Sequence, residues 1–175
     1  VQDLQQHGLA GSLLRTAWAE RQVVPPEAGQ STLPGSIALA GASSPHLVAI
    51  QSESFFDPRG WCPAIKPEVL ARFDGLKAGG VWGRLQVPAW GANTVRSEFG
   101  FLSGLAPEAL GAHRFNPYRY LAGRGMGLHS LAGMLRKAGY HTVFLPPYHA
   151  SFYARDRVMP WLGFDRFVDI SAFGE

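Results

Sequence analysis

The sequence predicts an α/β fold, with a mostly parallel sheet flanked by helices. Two short, nearly continuous apolar runs, at His46–Ile50 and Thr142–Leu145, suit strands buried on both faces. Helix-period segments alternate with the strand candidates, which favours parallel pairing through crossovers. Gly and Pro residues punctuate the boundaries, as at Gly79-Gly80, Gly139 and Pro146-Pro147.

Taken in order, residues 1–24 read as a helical connector, with Leu9, Leu13, Leu14 and Trp18 at helical spacings. The connector is either a packing arm or a juxtamembrane segment. Residues 25–44 open on Pro25-Pro26, are rich in Gly, Ser, Ala and Pro, and read as a linker. The globular part is 45–175. After the first strand and the polar Gln51-Ser52-Glu53-Ser54 comes a helix over Pro67–Leu76, with Pro67 early and Val69, Leu70, Phe73 and Leu76 on one face. Val81–Val87 alternates loosely and reads as a strand. Ala89–Asn93 is a loop, and Thr94–Leu105 a helix with Phe99, Phe101, Leu102 and Leu105 as apolar members. Residues 107–127 show no period, and Gly123, Gly125 and Gly127 suggest a bend. Leu128–Ala138 is a helix with one apolar face, capped by Gly139. Thr142–Leu145 and Phe164–Ile170 complete the strands.

Composition narrows the function classes. The 175 residues carry 16 Lys+Arg and 13 Asp+Glu, a net charge of +3. No Lys/Arg run occurs, so no nucleic-acid partner is indicated. A hydrophobic fraction of 46% against 17% charged residues excludes a disordered polyampholyte. Cys62 is the single cysteine, which rules out an intrachain disulfide and a thiolate zinc cluster. No run of about 18 apolar residues occurs, as a membrane span would need. No charged segment followed by an apolar stretch opens the chain as a signal peptide would. The ends, at Val1 and at Phe173-Gly174-Glu175, read as cuts within a longer protein.

In open α/β sheets ligands bind beyond the carboxyl ends of strands. Three segments bring polar residues there: Gln51–Asp57, Asn93–Glu98 and Tyr148–Arg155. Glu53 directly follows a strand, where a rigid carboxylate suits a cation; a solvated loop glutamate is the plain alternative. Thr94 opens a helix after a Gly/Ala/Asn loop. It is either a cap or a nucleophile, because a helix start carries roughly half a positive charge that favours an alkoxide and an anionic ester. Arg155 offers a fork that matches phosphate or sulfate oxygens, or else pairs with a carboxylate. The six histidines show no paired ligand spacing. No GxGxxG after a strand, GxxxxGK[ST] or GxSxG occurs. Cys62-Pro63-Ala64-Ile65-Lys66 does not supply the C-x-P-x-R pattern of formylglycine sulfatases.

Four segments in register resemble the lipoteichoic acid synthase branch of the alkaline phosphatase/sulfatase superfamily. Pro45–Phe55 is similar to its first metal-ligand strand, and Ala92–Phe99 to its nucleophile segment, a threonine followed at a fixed gap by Ser-Glu-Phe. Leu131–Val143 is similar to its "LLKKxGYxT" helix and strand, and Tyr148–Asp165 to its "SFWNRD…LGFD" segment. The resemblance covers 45–175 and implies the N-terminal part of an alkaline phosphatase/sulfatase-like domain, incomplete here. It implies metal-dependent transfer of phosphoglycerol or phosphoethanolamine from an anionic phospholipid to an acceptor hydroxyl on a glycan or glycerol phosphate. By that resemblance Glu53 is a metal ligand, Thr94 both ligand and nucleophile, and Tyr153 and Arg155 head-group contacts. The cation is manganese, with magnesium or zinc as alternatives. The site lies outside the cell membrane, to which upstream segments tether it.

The sequence also departs from that pattern. Pro146 stands where the family has a substrate-binding histidine, and His149, three residues on, is the candidate replacement. Tyr153 replaces tryptophan and Ala154 replaces asparagine. The family's Asp-His ligand pair has no counterpart, since Asp165 and Asp169 lie in the wrong context, so the isolated chain is expected to be inactive. A sulfatase or phosphodiesterase on the same fold, and a non-catalytic interaction module, are the alternatives.

Overall fold

A computed structural model describes residues 2–22, 26, 30–37, 45–87, 93–125 and 127–174. The chain divides into two units, Val1–His46 with Pro88–Glu175, and Leu47–Val87.

The first unit is built on helix α3, Thr94–Ser103. Its buried Val95, Glu98, Phe99 and Leu102 recur at three- and four-residue steps, so one face enters the core and carries a carboxylate with it. Gly104, at φ 64°, ends the helix in the left-handed conformation that glycine adopts without strain. Helix α4, Pro117–Arg124, starts where Asn116 accepts a hydrogen bond from the Arg119 N–H and Pro117 takes the first position. It buries Tyr118, Tyr120 and Leu121, and Tyr118 meets Phe99 edge-on at 6.5 Å. Helix α5, Leu131–Lys137, begins at Ser130, whose hydroxyl accepts from the Gly133 N–H and donates to the Leu162 carbonyl. Gly163, at φ +86°, lies so close to Gly133 that an added Cβ would meet its Cα at 2.6 Å. A side chain at Gly163 would therefore force α5 off the 159–162 turn. Helix α6, Arg155–Val158, and that turn add the fully buried Val158, Met159 and Leu162.

Strand β1, Val143–Phe144, pairs in parallel with β2, Arg166–Phe167, in register Val143↔Arg166. Thr142 locks the entry: its N–H and hydroxyl donate to the Asp165 carboxylate at 2.8 and 2.9 Å. These bonds, the backbone one foremost, hold the Asp165 carboxyl below its usual range. Helix α1, Gln2–Arg21, reaches this unit through Glu20, whose carbonyl bonds His113 and whose carboxylate pairs with Arg119 at 3.1 Å. Its Leu9, Leu13, Leu14 and Trp18 are exposed. Part of the linker docks as well, with the Thr32 N–H on the Gly104 carbonyl at 2.9 Å and the Ser31 hydroxyl on that of Ser103.

The second unit holds helix α2, Ala71–Ala78, and turns at Pro58–Gly60 and Pro67–Leu70. The Arg59 guanidinium bridges Asp57 and Asp74, and Phe73 meets Phe55 edge-on at 4.8 Å. The strands expected at His46–Ile50 and Val81–Val87 do not form in the described residues. Ile50 is 87% exposed and Leu85 83%. A strand exists only where a neighbour takes its N–H and C=O groups, and among the described residues neither segment pairs with one. Helix α4 lies inside 107–127, where the sequence shows no period. The helix expected from Pro67 starts as a tight turn, and the one expected from Leu128 starts at Leu131. The strand expected over Phe164–Ile170 shortens to β2. What forms is mixed helix with a small parallel sheet, an incomplete α/β fold.

Candidate active site

Thr94 is the first residue of α3, and Asn93 before it is left-handed at φ 94°, ψ 63°. A non-glycine residue there is strained, and asparagine is among the few that tolerate it. The Asn93 amide donates to the Phe115 carbonyl, which fixes the approach to Thr94. Among the described residues, its buried Oδ1 accepts no hydrogen bond. Thr94 therefore combines a rigid entry with the positive end of a ten-residue helix, a setting that favours an anionic ester beside its hydroxyl.

One turn along α3, Glu98 is buried and bound from two sides. Arg155 forks onto it, Nε to Oε1 and Nη2 to Oε2, both at 3.0 Å. The Tyr118 hydroxyl donates to the same Oε1. Arg155 is only 3% exposed, and its Nη1 donates to the Phe152 carbonyl at 3.3 Å. Burial, then the Glu98 charge, push the Tyr118 phenol well above its ordinary range. Three elements, α3, α4 and α6, thus meet on one carboxylate.

The predicted site residues fall in different places. Arg155 is this buried ion-pair partner. Tyr153 and Ala154 immediately precede it, at φ 59° and φ 54°. Two successive left-handed residues with side chains cost about 1–3 kcal/mol each. The asparagine that the resemblance expects at position 154 would bear that conformation better than Ala154 does. His149 is exposed on the loop after β1, its carbonyl accepting from the Phe152 N–H, and Pro146 is buried. Glu53 is exposed in a turn of the second unit, where the Phe55 N–H bonds the Ser52 carbonyl at 3.1 Å. Asp165 binds Thr142, and Asp169 takes the Ser171 hydroxyl and the Ala150 N–H, which lower its pKa. Both carboxylates thus have structural work. Cys62 is exposed.

Glu98 and Tyr118 are the residues that sequence reasoning assigned no role. The signal was the Ser97-Glu98-Phe99 motif itself, whose glutamate stands on the buried face of the α3 period.

Tyr153 also lines a cleft of about 370 Å³ together with Asn116, Arg119, Ala154 and Arg157. Arg157 is fixed by donating to the Ala122 carbonyl at 3.2 Å.

A hydroxyl at the start of a helix, on a core of α/β character, is a setting that suits an anionic ester. The sulfatase family model matches residues 45–175, and the chain belongs to that family. The chain is also similar to the capsular polysaccharide biosynthesis protein RkpI of Rhizobium meliloti (strain 1021), 36% identical over 131 residues. That stretch is 74% of this chain and 24% of the relative, so the chain spans about a quarter of the relative's length. No solved structure matches.

Sulfatase-superfamily enzymes are generally metal-dependent. Among the described residues no three His, Cys, Asp or Glu side chains gather into a metal site. Glu53 and Thr94 lie in separate units, and two oxygen ligands would fall short of the roughly six that a hard cation takes. The residues described here do not make a cation site on their own. Among them no helix is long and apolar enough to cross a membrane.

Proposed function

We propose that the complete protein transfers a phosphoglycerol or phosphoethanolamine group from a phospholipid to an acceptor hydroxyl, as the lipoteichoic acid synthase branch does. The observation that carries this reading is Thr94 at the start of α3, with Glu98 one turn on tied to Arg155. The Thr94 oxygen attacks phosphorus, the bond from phosphorus to the diacylglycerol oxygen breaks, and that oxygen leaves with a proton. The phosphodiester on Thr94 then passes to the acceptor oxygen, whose proton returns to the threonine. The relative acts in capsular polysaccharide biosynthesis, which supports a saccharide hydroxyl as acceptor. Glu53 and Thr94 are this chain's contribution to a divalent-cation site, with manganese the preferred ion and the other ligands supplied by the rest of the protein. The reaction belongs on the extracytoplasmic side of the cell membrane, where lipid donor and glycan meet.

Thr94→Ala in the complete protein is expected to lower transfer by roughly 10³-fold or more. Mass spectrometry of the wild type is expected to find a phosphoglycerol or phosphoethanolamine adduct on the peptide holding Thr94. Undiminished transfer by the variant overturns the assignment. Membership of the sulfatase family favours one second reading, transfer of the same group to water. Product analysis with and without an acceptor alcohol separates the two.

A further inference from the structure

We propose that the cleft between α4 and the 153–157 segment is an oxyanion subsite, in which Arg157 and Arg119, rather than Arg155, hold a phosphate ester carried on a small polyol.

Arg155 is poorly placed for that work. Glu98 takes two of its nitrogens and cancels its charge, Phe152 takes the third, and the side chain is 4% exposed. A ligand reaching it would have to displace a buried carboxylate. The cleft beside it has what Arg155 lacks. Its volume of about 370 Å³ falls within the range of small-molecule sites. Arg157 keeps one nitrogen on the Ala122 carbonyl, which fixes the guanidinium and leaves its other N–H groups to a ligand. Arg119 adds a second guanidinium from α4, and Glu20 is the carboxylate paired with it. An incoming anion therefore shares Arg119 with Glu20 and meets Arg157 directly.

Two further features fit the ligand. Tyr153 and Ala154, both left-handed, line the cleft, and Tyr153 offers the polyol an aromatic wall. Gly123, also in the lining, would place an added Cβ in open space, so its missing side chain is cleft volume. The cleft wall is also tied to the start of α3 by one hydrogen bond. Asn116 lies in its wall, and the carbonyl of the preceding Phe115 accepts from Asn93, the residue before Thr94. The choice of phosphate over sulfate rests on the proposed transfer reaction; the oxyanion cleft does not.

The test uses the 175-residue chain with glycerol 1-phosphate and methyl sulfate as probes, followed by ¹⁵N NMR titration. Glycerol 1-phosphate is expected to shift the amides of Gly123, Tyr153 and Arg157. Arg157→Ala is expected to weaken binding about tenfold, the share of one charge-assisted hydrogen bond, and Arg119→Ala by less. Gly123→Leu, which suits a helix and whose Cβ meets no neighbour, is expected to abolish binding with the fold intact. Arg155→Lys is expected to lower the melting temperature and leave the affinity of the folded chain within about twofold. Absence of binding, or binding indifferent to Arg157→Ala and Gly123→Leu, overturns the cleft. So does loss of binding in folded Arg155→Lys. Preference for methyl sulfate with the same dependences keeps the cleft and overturns the phosphate. Thr94→Ala is expected to bind the probe unchanged, so failure of the transfer reading and failure of the cleft appear in separate measurements.

Discussion

The core around α3 and the segment 47–87 each centre on an arginine forked onto carboxylates, in opposite surroundings. The Arg155 and Glu98 side chains are 4% and 11% exposed, whereas Arg59 keeps 22% and its partners Asp57 and Asp74 about twice that. Water screens the second fork and not the first. A desolvated pair has lost its hydration, so its members depend on each other; a solvated pair falls back on water at little cost. The buried fork therefore specifies how α3, α4 and α6 assemble. The exposed one trims a surface turn.

The sharpest way to break this comparison is Glu98→Gln. The amide keeps the shape and removes the charge, leaving Arg155 buried and uncompensated. Loss of about 3–5 kcal/mol is expected in urea unfolding. A loss like that of a surface substitution would mean that the carboxylate is not the joint.

The same contrast explains how far the sequence could be read. Helix α3 was legible because its signals are local: an Ala/Asn loop, an apolar period and a glycine at its end, Gly104, one residue before the expected stop. Helix α4 had local signals too, Asn116 as cap and Pro117 at the first position, but Gly123 and Gly125 read as a bend. Gly125 is in fact the left-handed residue that closes the helix. The fork between Glu98 and Arg155 spans 57 residues, and no local pattern encodes a partner at that distance. The apolar runs at 46–50 and 81–87 failed as strands for the same reason. Hydrophobicity reports the wish for burial, and only a neighbouring strand grants it. Glu53 and Thr94 drew notice by their places, after an expected strand and at a helix start, but their assigned roles came from the resemblance alone.

A second consequence of burial appears at high pH. The Tyr118 phenol is raised above its usual value of about 10 by desolvation and then by the Glu98 charge. Its folded pKa exceeds its unfolded one, so its contribution to stability is full below about pH 10 and is lost as pH rises through the folded value. Ultraviolet titration is expected to show Tyr118 as the last tyrosine to ionise, neutral until the chain unfolds, after Tyr120, whose phenol burial also raises. In Tyr118→Phe that late step should vanish. A Tyr118 that ionises at its ordinary pKa in the folded chain would contradict the sealed triad.

The smallest expected effect belongs to the exposed fork and runs toward acid. Hydrogen bonds from the Arg59 side chain and then its N–H lower Asp57 from 3.8 to about 2. A depressed carboxyl contributes stability above its unfolded pKa, near 3.9, and loses it as pH falls through about 2. The window is thus pH 4 to 2, below any working condition. Because both carboxylates are solvated, Asp57→Asn is expected to leave the melting temperature at pH 7 almost unchanged. The informative measurement is a ¹³C titration of the Asp57 carboxyl. A midpoint near 2 establishes the fork in solution, and one near 3.9 dissolves it. In the second case Arg59 would no longer tie Asp57 to Asp74, leaving the Phe55 and Phe73 contact to hold the turn against α2.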